Sequence, residues 1–344
     1  MVTIKMIAKK CGYSVATVSK ALNGAPDISA ETAEFIKKTA VQMGYLPNVA
    51  ARMLKTSRSY SFGVLFEDAT NSGLTHEFFA HILESFKHRA EELGYDISFI
   101  SDCLGGREIS YMEHARCRNC DGVLIASVEF TDPAVVELAN SGIPVVTIDY
   151  IFENCGSIQS DNIRGMRDLI THIYGQGHRK IAFIHGEATA VTRQRIASFY
   201  RVCRELDLEI PEEYVIPGFF HDPKASGAAT RKLLSLKEPP TCIIYPDDIS
   251  YIGGRNEIEN MGLSIPGDIS VAGYDGIRMG QYLRPRLTTL KQDAEQMGRT
   301  AAEELARAVD EGKLYLPNRI VIPGTLIPGE TVRNLHESAD ADPH

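Results

Sequence analysis

Short apolar segments alternate with helical segments from about residue 60 onward, and this rhythm runs twice along the chain. The first run predicts strands at Phe62–Phe66, Ile97–Ile100, Gly122–Ala126 and Val145–Ile148, each near a glycine or proline boundary. The second run predicts strands at Ile181–Ile184, Tyr214–Ile216, Cys242–Tyr245 and Ser270–Ala272. Strands joined by helices form parallel sheets that helices cover on both faces. We therefore expect an α/β fold with two similar doubly wound lobes.

Two such lobes also predict where a ligand would bind. In doubly wound folds, ligands lie beyond the carboxyl ends of the strands. Small-molecule pockets are common in the cleft between two compact units. The cleft between the lobes is therefore the expected pocket.

The first 60 residues differ in charge from the rest of the chain. The 344 residues carry 36 Lys and Arg against 45 Asp and Glu, which gives a net charge of −9. Residues 1–60 hold nine basic and three acidic side chains, so this segment is +6 and the remainder is −15. A basic head on an acidic body directs a polyanion such as DNA to one end of the protein.

Helical periodicity opens the basic segment. Ile4 and Ile7 share one face of a first helix, which Gly12 ends. Ser14 is positioned to cap a second short helix, and Ser29 is positioned to cap a third. Two short helices around a glycine turn are typical of a helix-turn-helix.

The helix-turn-helix pattern occupies Thr3–Gly24, with the sequence TIKMIAKKCGYSVATVSKALNG. It resembles the DNA-binding head of the lactose/galactose repressor family. The resemblance covers about residues 2–330 and continues in Gly44–Asn48, Ala51–Leu54, Asp121–Leu124, Ile143–Val146, Gly177–Ala182 and Val271–Asp275. It implies a cytoplasmic transcriptional repressor with this head and a two-lobed periplasmic-binding-protein-like domain. A small-molecule effector in the second domain would control operator binding.

The chain is expected to divide into four parts. They are a helix-turn-helix domain at 1–47, a hinge helix and linker at 48–60, an effector-binding and dimerisation domain at 61–335, and a polar tail at 336–344. Within the large domain, 61–160 and 292–318 are expected in the N-terminal lobe, and 161–291 and 319–331 in the C-terminal lobe.

The second helix is expected to enter the major groove. The resemblance implies that the side chains of Val15, Ala16 and Lys20 contact the bases directly. The two small apolar side chains can touch a thymine methyl group, whereas Lys20 can donate to a guanine. Many family members carry arginine there, and a lysine predicts looser specificity. Thr17 and Ser19 suit phosphate contacts. The expected DNA-binding residues are Thr3, Ser14, Val15, Ala16, Thr17, Ser19, Lys20, Asn23, Asn48, Ala51, Arg52, Leu54 and Lys55.

Leu54 lies in a short, basic, weakly helical segment that cannot bury it in a core of its own. The resemblance implies that paired hinge helices from two subunits insert this leucine into the minor groove and kink the central base step. So short a helix should order only on DNA. A homodimer on palindromic operator DNA is expected, because two-fold symmetry doubles the contact of one short recognition helix. The tail from His336 has no leucine heptad, so no bundle of tails is expected.

The expected effector site combines carboxylates with one forked donor. Asp149 and Asp275 follow predicted strands, Arg195 stands where the family places an arginine clamp, and Asp247 stands where many sugar-responsive members carry asparagine. Carboxylates accept hydrogen bonds from sugar hydroxyls, and a guanidinium donates to them. Phenylalanines could stack on an apolar sugar face; the candidates are Phe78, Phe79 and Phe220.

These residues favour a mono- or disaccharide effector, although the aspartate at 247 leaves a purine or an amine possible. Asp248 is interpreted as a helix cap and not as a ligand. Whether the effector raises or lowers operator affinity depends on which state it contacts better.

Other classes of protein fit the sequence less well. A transport solute-binding protein would share the two lobes, but residues 1–10 hold three lysines and no apolar signal core, and no run is long enough to cross a membrane. An α/β enzyme would need a catalytic motif, and no Gly-x-Ser-x-Gly elbow, phosphate-binding loop or His-Glu-x-x-His is present. No cofactor is expected. Cys117 and Cys120 have Cys-x-x-Cys spacing without a second pair, so they are interpreted as structural and not as a metal site.

Overall fold

The computed structural model describes residues 2–22, 25–45, 58–67 and 73–336. These residues belong to two compact units, which meet in the sequence between Ser59 and Tyr60.

The first unit contains three helices: α1 (Ile4–Cys11), α2 (Val15–Leu22) and α3 (Ala30–Gln42). Each begins at a hydroxyl side chain that accepts a hydrogen bond from a backbone amide of the first turn, and these caps are Thr3, Ser14 and Ser29. The helices enclose one small core, formed by Ile7, Ala8, Val18, Ala21, Ile36 and Ala40. Gly12 ends α1 in the left-handed conformation, with φ of 74°, which an L side chain rarely adopts.

The second unit alternates strands and helices. Its strands are β1 (Ser61–Phe66), β2 (Asp96–Ile100), β3 (Cys103–Leu104), β4 (Arg107–Glu108), β5 (Gly122–Ser127), β6 (Val145–Ile148), β7 (Gly156–Ser160), β8 (Ile181–His185), β9 (Val215–Pro217), β10 (Cys242–Ile244), β11 (Ser270–Asp275), β12 (Thr288–Lys291), β13 (Arg319–Ile322) and β14 (Thr325–Ile327). Its helices are α4 (Glu77–Glu92), α5 (Tyr111–Cys117), α6 (Pro133–Ala139), α7 (Asn162–Gly175), α8 (Ala190–Glu205), α9 (Pro223–Leu234), α10 (Asp248–Asn260), α11 (Arg278–Tyr282) and α12 (Ala294–Glu311).

Two six-stranded sheets organise this unit into two lobes. The sheet of the first lobe has the order β13-β7-β6-β5-β1-β2, and all of its strands are parallel. The sheet of the second lobe has the order β14-β12-β11-β10-β8-β9, and only β14 runs antiparallel to its neighbour. The prediction of two doubly wound lobes behind a helix-turn-helix is confirmed.

The chain passes between the lobes three times. It leaves the first sheet after β7, returns to α12 after β12, and crosses again between β13 and β14. The range 319–331, expected wholly in the second lobe, is therefore divided. Arg319–Ile322 pairs in parallel with β7 of the first lobe, and only the following strand joins the second sheet.

Four strands that complete these sheets, β7, β12, β13 and β14, were not predicted. Each contains at most three consecutive apolar residues, and β12 buries two threonines, Thr288 and Thr289. The Thr289 hydroxyl donates to the carboxylate of Asp248 at 2.7 Å, so the polar atom is satisfied by a distant segment. The predicted strand at Tyr214 begins one residue later, because this tyrosine ends a 3₁₀ turn.

Candidate DNA-binding and effector sites

The second helix of the first unit has one face exposed to solvent. Ser14 Oγ accepts a hydrogen bond from Thr17 N at 3.0 Å, which fixes the start of α2. Val15, Ala16 and Lys20 are exposed, whereas Val18 is fully buried. The three side chains expected to read bases are therefore available on one surface.

Lys20 has a partner that the sequence did not indicate. Its ammonium group forms an ion pair with the carboxylate of Asp27, and both side chains are about half exposed. The hydrogen bond from Lys20 lowers the pKa of Asp27. This carboxylate occupies one of the three donors of the ammonium group and therefore competes with DNA for Lys20.

The remaining DNA-binding candidates fall into two groups. Thr3 caps α1, and Thr17 and Ser19 are half-buried on α2. The other candidates lie outside the described residues, and they are Asn23, Asn48, Ala51, Arg52, Leu54 and Lys55.

A cavity of about 300 Å³ lies between the two lobes of the second unit. Six of the seven expected effector residues line it, namely Phe78, Phe79, Asp149, Arg195, Phe220 and Asp275. Most of them follow the carboxyl ends of strands or begin a helix, where doubly wound folds place their ligands.

Two aspartates reach the cavity from opposite lobes. Asp149 directly follows β6 with φ of 53°, and Asp275 ends β11 with φ of 98°. Residues held in the left-handed region are uncommon and cluster at functional sites, where surrounding contacts hold them. Asp149 Oδ1 accepts from Ser160 N at 2.7 Å, and Asp275 Oδ1 accepts from Gln292 Nε2 at 2.6 Å. The other oxygen of each carboxylate forms no hydrogen bond to a described residue, so it is available to a ligand.

Arg195 is buried, with only 4% of its surface exposed, and several contacts fix the position of its side chain. Its Nε donates to Asn162 Oδ1 at 2.8 Å and its Nη1 donates to the carbonyl of Pro246 at 2.9 Å. The guanidinium lies 3.5 Å from the ring centroid of Tyr274. Because these contacts leave Nη2 without a hydrogen bond to any described residue, this nitrogen can donate to a ligand.

Asp247 is not part of the cavity wall, which corrects its assignment as an effector ligand. It caps α10, since Oδ1 accepts from Ser250 N at 2.7 Å and Oδ2 accepts from His221 N at 2.9 Å. Asp248, interpreted from the sequence as the cap, is instead the first residue of that helix. Its Oδ2 accepts from Ile277 N at 2.9 Å, which ties the helix to the loop that follows Asp275.

Aromatic rings form much of the apolar wall. Phe79 lies in edge contact with Phe78, and Phe220 lies 5.8 Å from the Arg195 guanidinium. A second pair, Phe130 and Tyr150, stacks in parallel with ring centroids 4.3 Å apart. These rings are already packed against each other, so they leave no slot for a planar ligand between them.

Contacts between the lobes surround this cavity. His76 from the first lobe stacks on His221 from the second, with ring centroids 3.7 Å apart. Arg278 N donates to Glu77 Oε1 at 2.9 Å, again from one lobe to the other. A ligand that changes the lobe arrangement must act against these contacts.

Further lining residues were missed by the sequence-based search. They include Glu67, Glu129, Tyr150, Glu187, His221 and Gln292. The glutamates stand one or two residues beyond the ends of β1, β5 and β8. Searching beyond every predicted strand, rather than at selected ones, would have found them. Gln292 follows a strand that was not predicted, so no such signal existed for it.

Burial raises the pKa of Asp149 to about 6, although the amide of Ser160 and the charge of Arg195 oppose that shift. Between pH 3.8 and about pH 6, folding is therefore coupled to the uptake of a proton by Asp149. Above about pH 6 the buried carboxylate is ionised, and its charge lowers the free energy of unfolding. We expect Asp149→Asn to stabilise the ligand-free protein at pH 7.5 by at most about 3 kcal/mol, because two pH units correspond to that energy.

Thermal melts of both proteins test this, with the gain shrinking as the pH falls to 5. A variant with unchanged or reduced stability at pH 7.5 would contradict the assigned burial.

Burial raises the pKa of Cys120 to about 11, which disfavours the nucleophilic thiolate form. Cys117 ends α5 rather than beginning a helix, where the helix dipole would favour a thiolate.

In the described ranges, no three His, Cys, Asp or Glu side chains come together in a way that could hold a metal ion. Across the same parts of the chain, no helix is long and apolar enough to cross a bilayer.

Two family models match the chain. Residues 3–48 match the model described as bacterial regulatory proteins, lacI family. Residues 170–332 match the model described as a periplasmic binding protein-like domain.

Individual proteins match over most of the length. The probable HTH-type transcriptional repressor ExuR of Bacillus subtilis (strain 168) is 31% identical over 316 residues, which cover 90% of this chain and 92% of that protein. The HTH-type transcriptional repressor PurR of Pasteurella multocida (strain Pm70) is 29% identical and covers 90% of this chain and 93% of its own. Among solved structures, the transcriptional regulator CelR–cellobiose complex superposes with a TM-score of 0.70 at 25% identity, covering 96% of this chain and 100% of that one.

Proposed function

Because this chain belongs to the LacI family of DNA-binding transcriptional repressors, we propose that a small sugar bound between its two lobes controls its affinity for operator DNA. The observation that carries the sugar assignment is the arrangement of Asp149, Asp275 and Arg195 around an aromatic cavity. Two carboxylates that each keep an oxygen, and a guanidinium that keeps a nitrogen, match adjacent hydroxyl groups. Apolar ring faces match the C–H face of a sugar.

A purine is the second candidate, because one relative is named PurR. Another relative is named ExuR, and the CelR structure holds the sugar cellobiose. A planar base favours a slot between two flat surfaces. The parallel pair of Phe130 and Tyr150 is closed, with centroids 4.3 Å apart, and the Tyr274 ring is covered by the Arg195 guanidinium. The ring geometry therefore favours a sugar over a purine.

A thermal-shift screen tests the ligand class. Monosaccharides, disaccharides and purine bases are each added to the full-length protein, since a ligand that binds the folded state raises the melting temperature by mass action. We expect shifts with sugars that are lost in Asp275→Asn. A shift with purines alone would contradict the sugar assignment.

The DNA-binding unit is proposed to act as a two-fold dimer on a palindromic operator. Val15, Ala16 and Lys20 would read bases, and Thr17 and Ser19 would contact phosphates. The exposed face of α2 supports this arrangement. Leu54 would enter the minor groove from the hinge segment, which lies outside the described residues.

The relatives are transcriptional regulators, which supports a binding role for the cleft rather than a catalytic one. Product formation from any sugar that binds would contradict this.

Lys20→Ala is expected to lose discrimination at one base pair of each half-site, on the order of 1 to 3 kcal/mol per site. The reason is that Lys20 is proposed as the long hydrogen-bond donor on the face of α2 that contacts the bases.

Asp27→Asn is expected to strengthen operator binding about two- to fivefold, because it removes the carboxylate that competes with DNA for the Lys20 ammonium group.

Both variants are compared by fluorescence anisotropy on an operator selected from a randomised duplex library and on single-base variants of it. Glu34→Gln, another exposed carboxylate of the same unit, is the control for net charge. Equal losses on operator and random DNA for Lys20→Ala would contradict its role in base reading.

A further inference from the structure

The cavity between the lobes carries far more negative than positive charge. Its lining includes five carboxylates. Asp149, Glu187 and Asp275 are partly buried, whereas Glu67 and Glu129 are exposed. Among the described lining residues Arg195 is the one guanidinium, and no lysine is present. A buried anionic ligand would meet net repulsion in this cavity.

The carboxylates are anchored and still able to accept from a ligand. Tyr111 donates its hydroxyl to Glu67 Oε1 at 2.6 Å, and Phe220 N donates to Glu187 Oε2 at 3.1 Å. Together with the anchored Asp149 and Asp275, four side chains are each held through one oxygen. The second oxygen of each forms no hydrogen bond to the described residues, so fixed acceptors surround the cavity.

Gln292 supplies an independent sign that the missing partner is a donor. This side chain is only 6% exposed and lines the cavity. Its Nε2 donates to Asp275 at 2.6 Å, which fixes the orientation of the amide because a carboxylate can only accept. The amide oxygen Oε1 is buried and has no hydrogen-bond partner among the described residues. A buried acceptor without a partner costs stability, and a ligand N–H or O–H would relieve that cost.

Arg195 does not offset this excess. Its charge is already engaged by two hydrogen bonds to Asn162 and Pro246 and by the face of Tyr274. A carboxylate or phosphate on the ligand would compete for a single remaining nitrogen while facing five carboxylates. An ammonium group, with three donors and one positive charge, fits the lining on both counts.

We propose that the effector is an amino sugar, a sugar that carries a free ammonium group, and that acidic sugars and sugar phosphates are rejected. This rests on the proposed function, since it names the kind of sugar that the cleft takes. The ammonium group binds among Asp149, Asp275 and the Gln292 carbonyl oxygen, and hydroxyl groups share Glu187 and Arg195.

Calorimetric titration of the full-length protein tests the proposal with matched sugars in the gluco, galacto and manno series. Each series comprises the neutral hexose, the 2-amino-2-deoxyhexose, its N-acetyl derivative and the uronic acid. We expect the amino sugar of one series to bind at least about tenfold more tightly than the neutral hexose. The N-acetyl derivative should bind more weakly than the amino sugar, and the uronic acid should show no measurable binding. This factor corresponds to about 1.4 kcal/mol.

A variant pair tests the electrostatic cause. Glu187→Gln keeps the size of the side chain and removes one charge of the lining, so the preference for amino sugar over neutral hexose should fall several-fold. Glu209→Gln, an exposed carboxylate outside this cavity, should leave the preference unchanged.

The outcomes separate the inference from the proposed function. Tighter binding of a neutral hexose or a uronic acid overturns the amino-sugar inference and leaves the sugar-controlled repressor in place. Binding of no sugar in these series or in the thermal-shift screen, which includes disaccharides, overturns both.

Discussion

Replacing Arg195 by alanine is expected to abolish the response to effector while leaving operator binding without effector near that of the wild type. The side chain supplies the one guanidinium of the described cavity lining and bridges α8 to Asn162 and Pro246. Its removal takes a charged hydrogen-bond donor from the ligand, which costs roughly 1 to 3 kcal/mol or more of binding free energy. Effector affinity should therefore fall by about tenfold or more.

The measurement is calorimetric titration beside operator binding with and without the ligand. Arg201→Ala is the matched control, because it removes an exposed arginine from the same helix. If Arg195→Ala does not fold, Asp275→Asn is measured in its place. This substitution changes a hydrogen-bond acceptor for the ligand and creates no cavity in the core. Wild-type effector affinity in both variants would show that the pocket is misplaced.

Gly253→Ala is expected to destabilise the second lobe by more than about 3 kcal/mol, the range in which core overpacking becomes severe. A Cβ atom at this position would lie 1.7 Å from the carbonyl oxygen of Pro223, and this neighbour is backbone. Helices α9 and α10 would have to separate to admit the methyl group. Because α10 starts at Asp248 and the preceding cap holds the His221 backbone, effector binding should be lost as well.

Thermal and urea melts measure the effect. Gly175→Ala is the control, because a Cβ atom at that helical glycine meets nothing within 4 Å. Near-wild-type stability of Gly253→Ala would contradict the close approach of these two helices.

Much of the architecture could be predicted from the sequence because its signals are local. The strand at Val145–Ile148 is β-branched throughout and mostly apolar, and its predicted bounds match those observed. Ser14 and Ser29 cap helices as expected, since the side chain and the amides that it satisfies are three residues apart. Such features need no knowledge of distant contacts.

Features that depend on distant segments were missed or misassigned. Asp247 and Asp248 are adjacent in sequence, and only the positions of His221 and Ile277 decide which carboxylate caps the helix and which ties down a loop. The ion pair of Lys20 and Asp27 joins the reading helix to the turn before α3. The edge strand at Arg319–Ile322 belongs to the first lobe because it pairs with β7, not because of its own residues.

Sugar bound between the lobes is expected to change the affinity of the protein for operator DNA. Fluorescence anisotropy gives the Kd of the full-length protein for its selected operator with and without a saturating sugar identified by the thermal-shift screen. We predict a change of about 5- to 150-fold, the usual range of allosteric coupling, in the wild type, and a much smaller change in Arg195→Ala at the same sugar concentration, because its effector affinity is lower. An operator Kd that is the same with and without a sugar that demonstrably binds the cavity would contradict it.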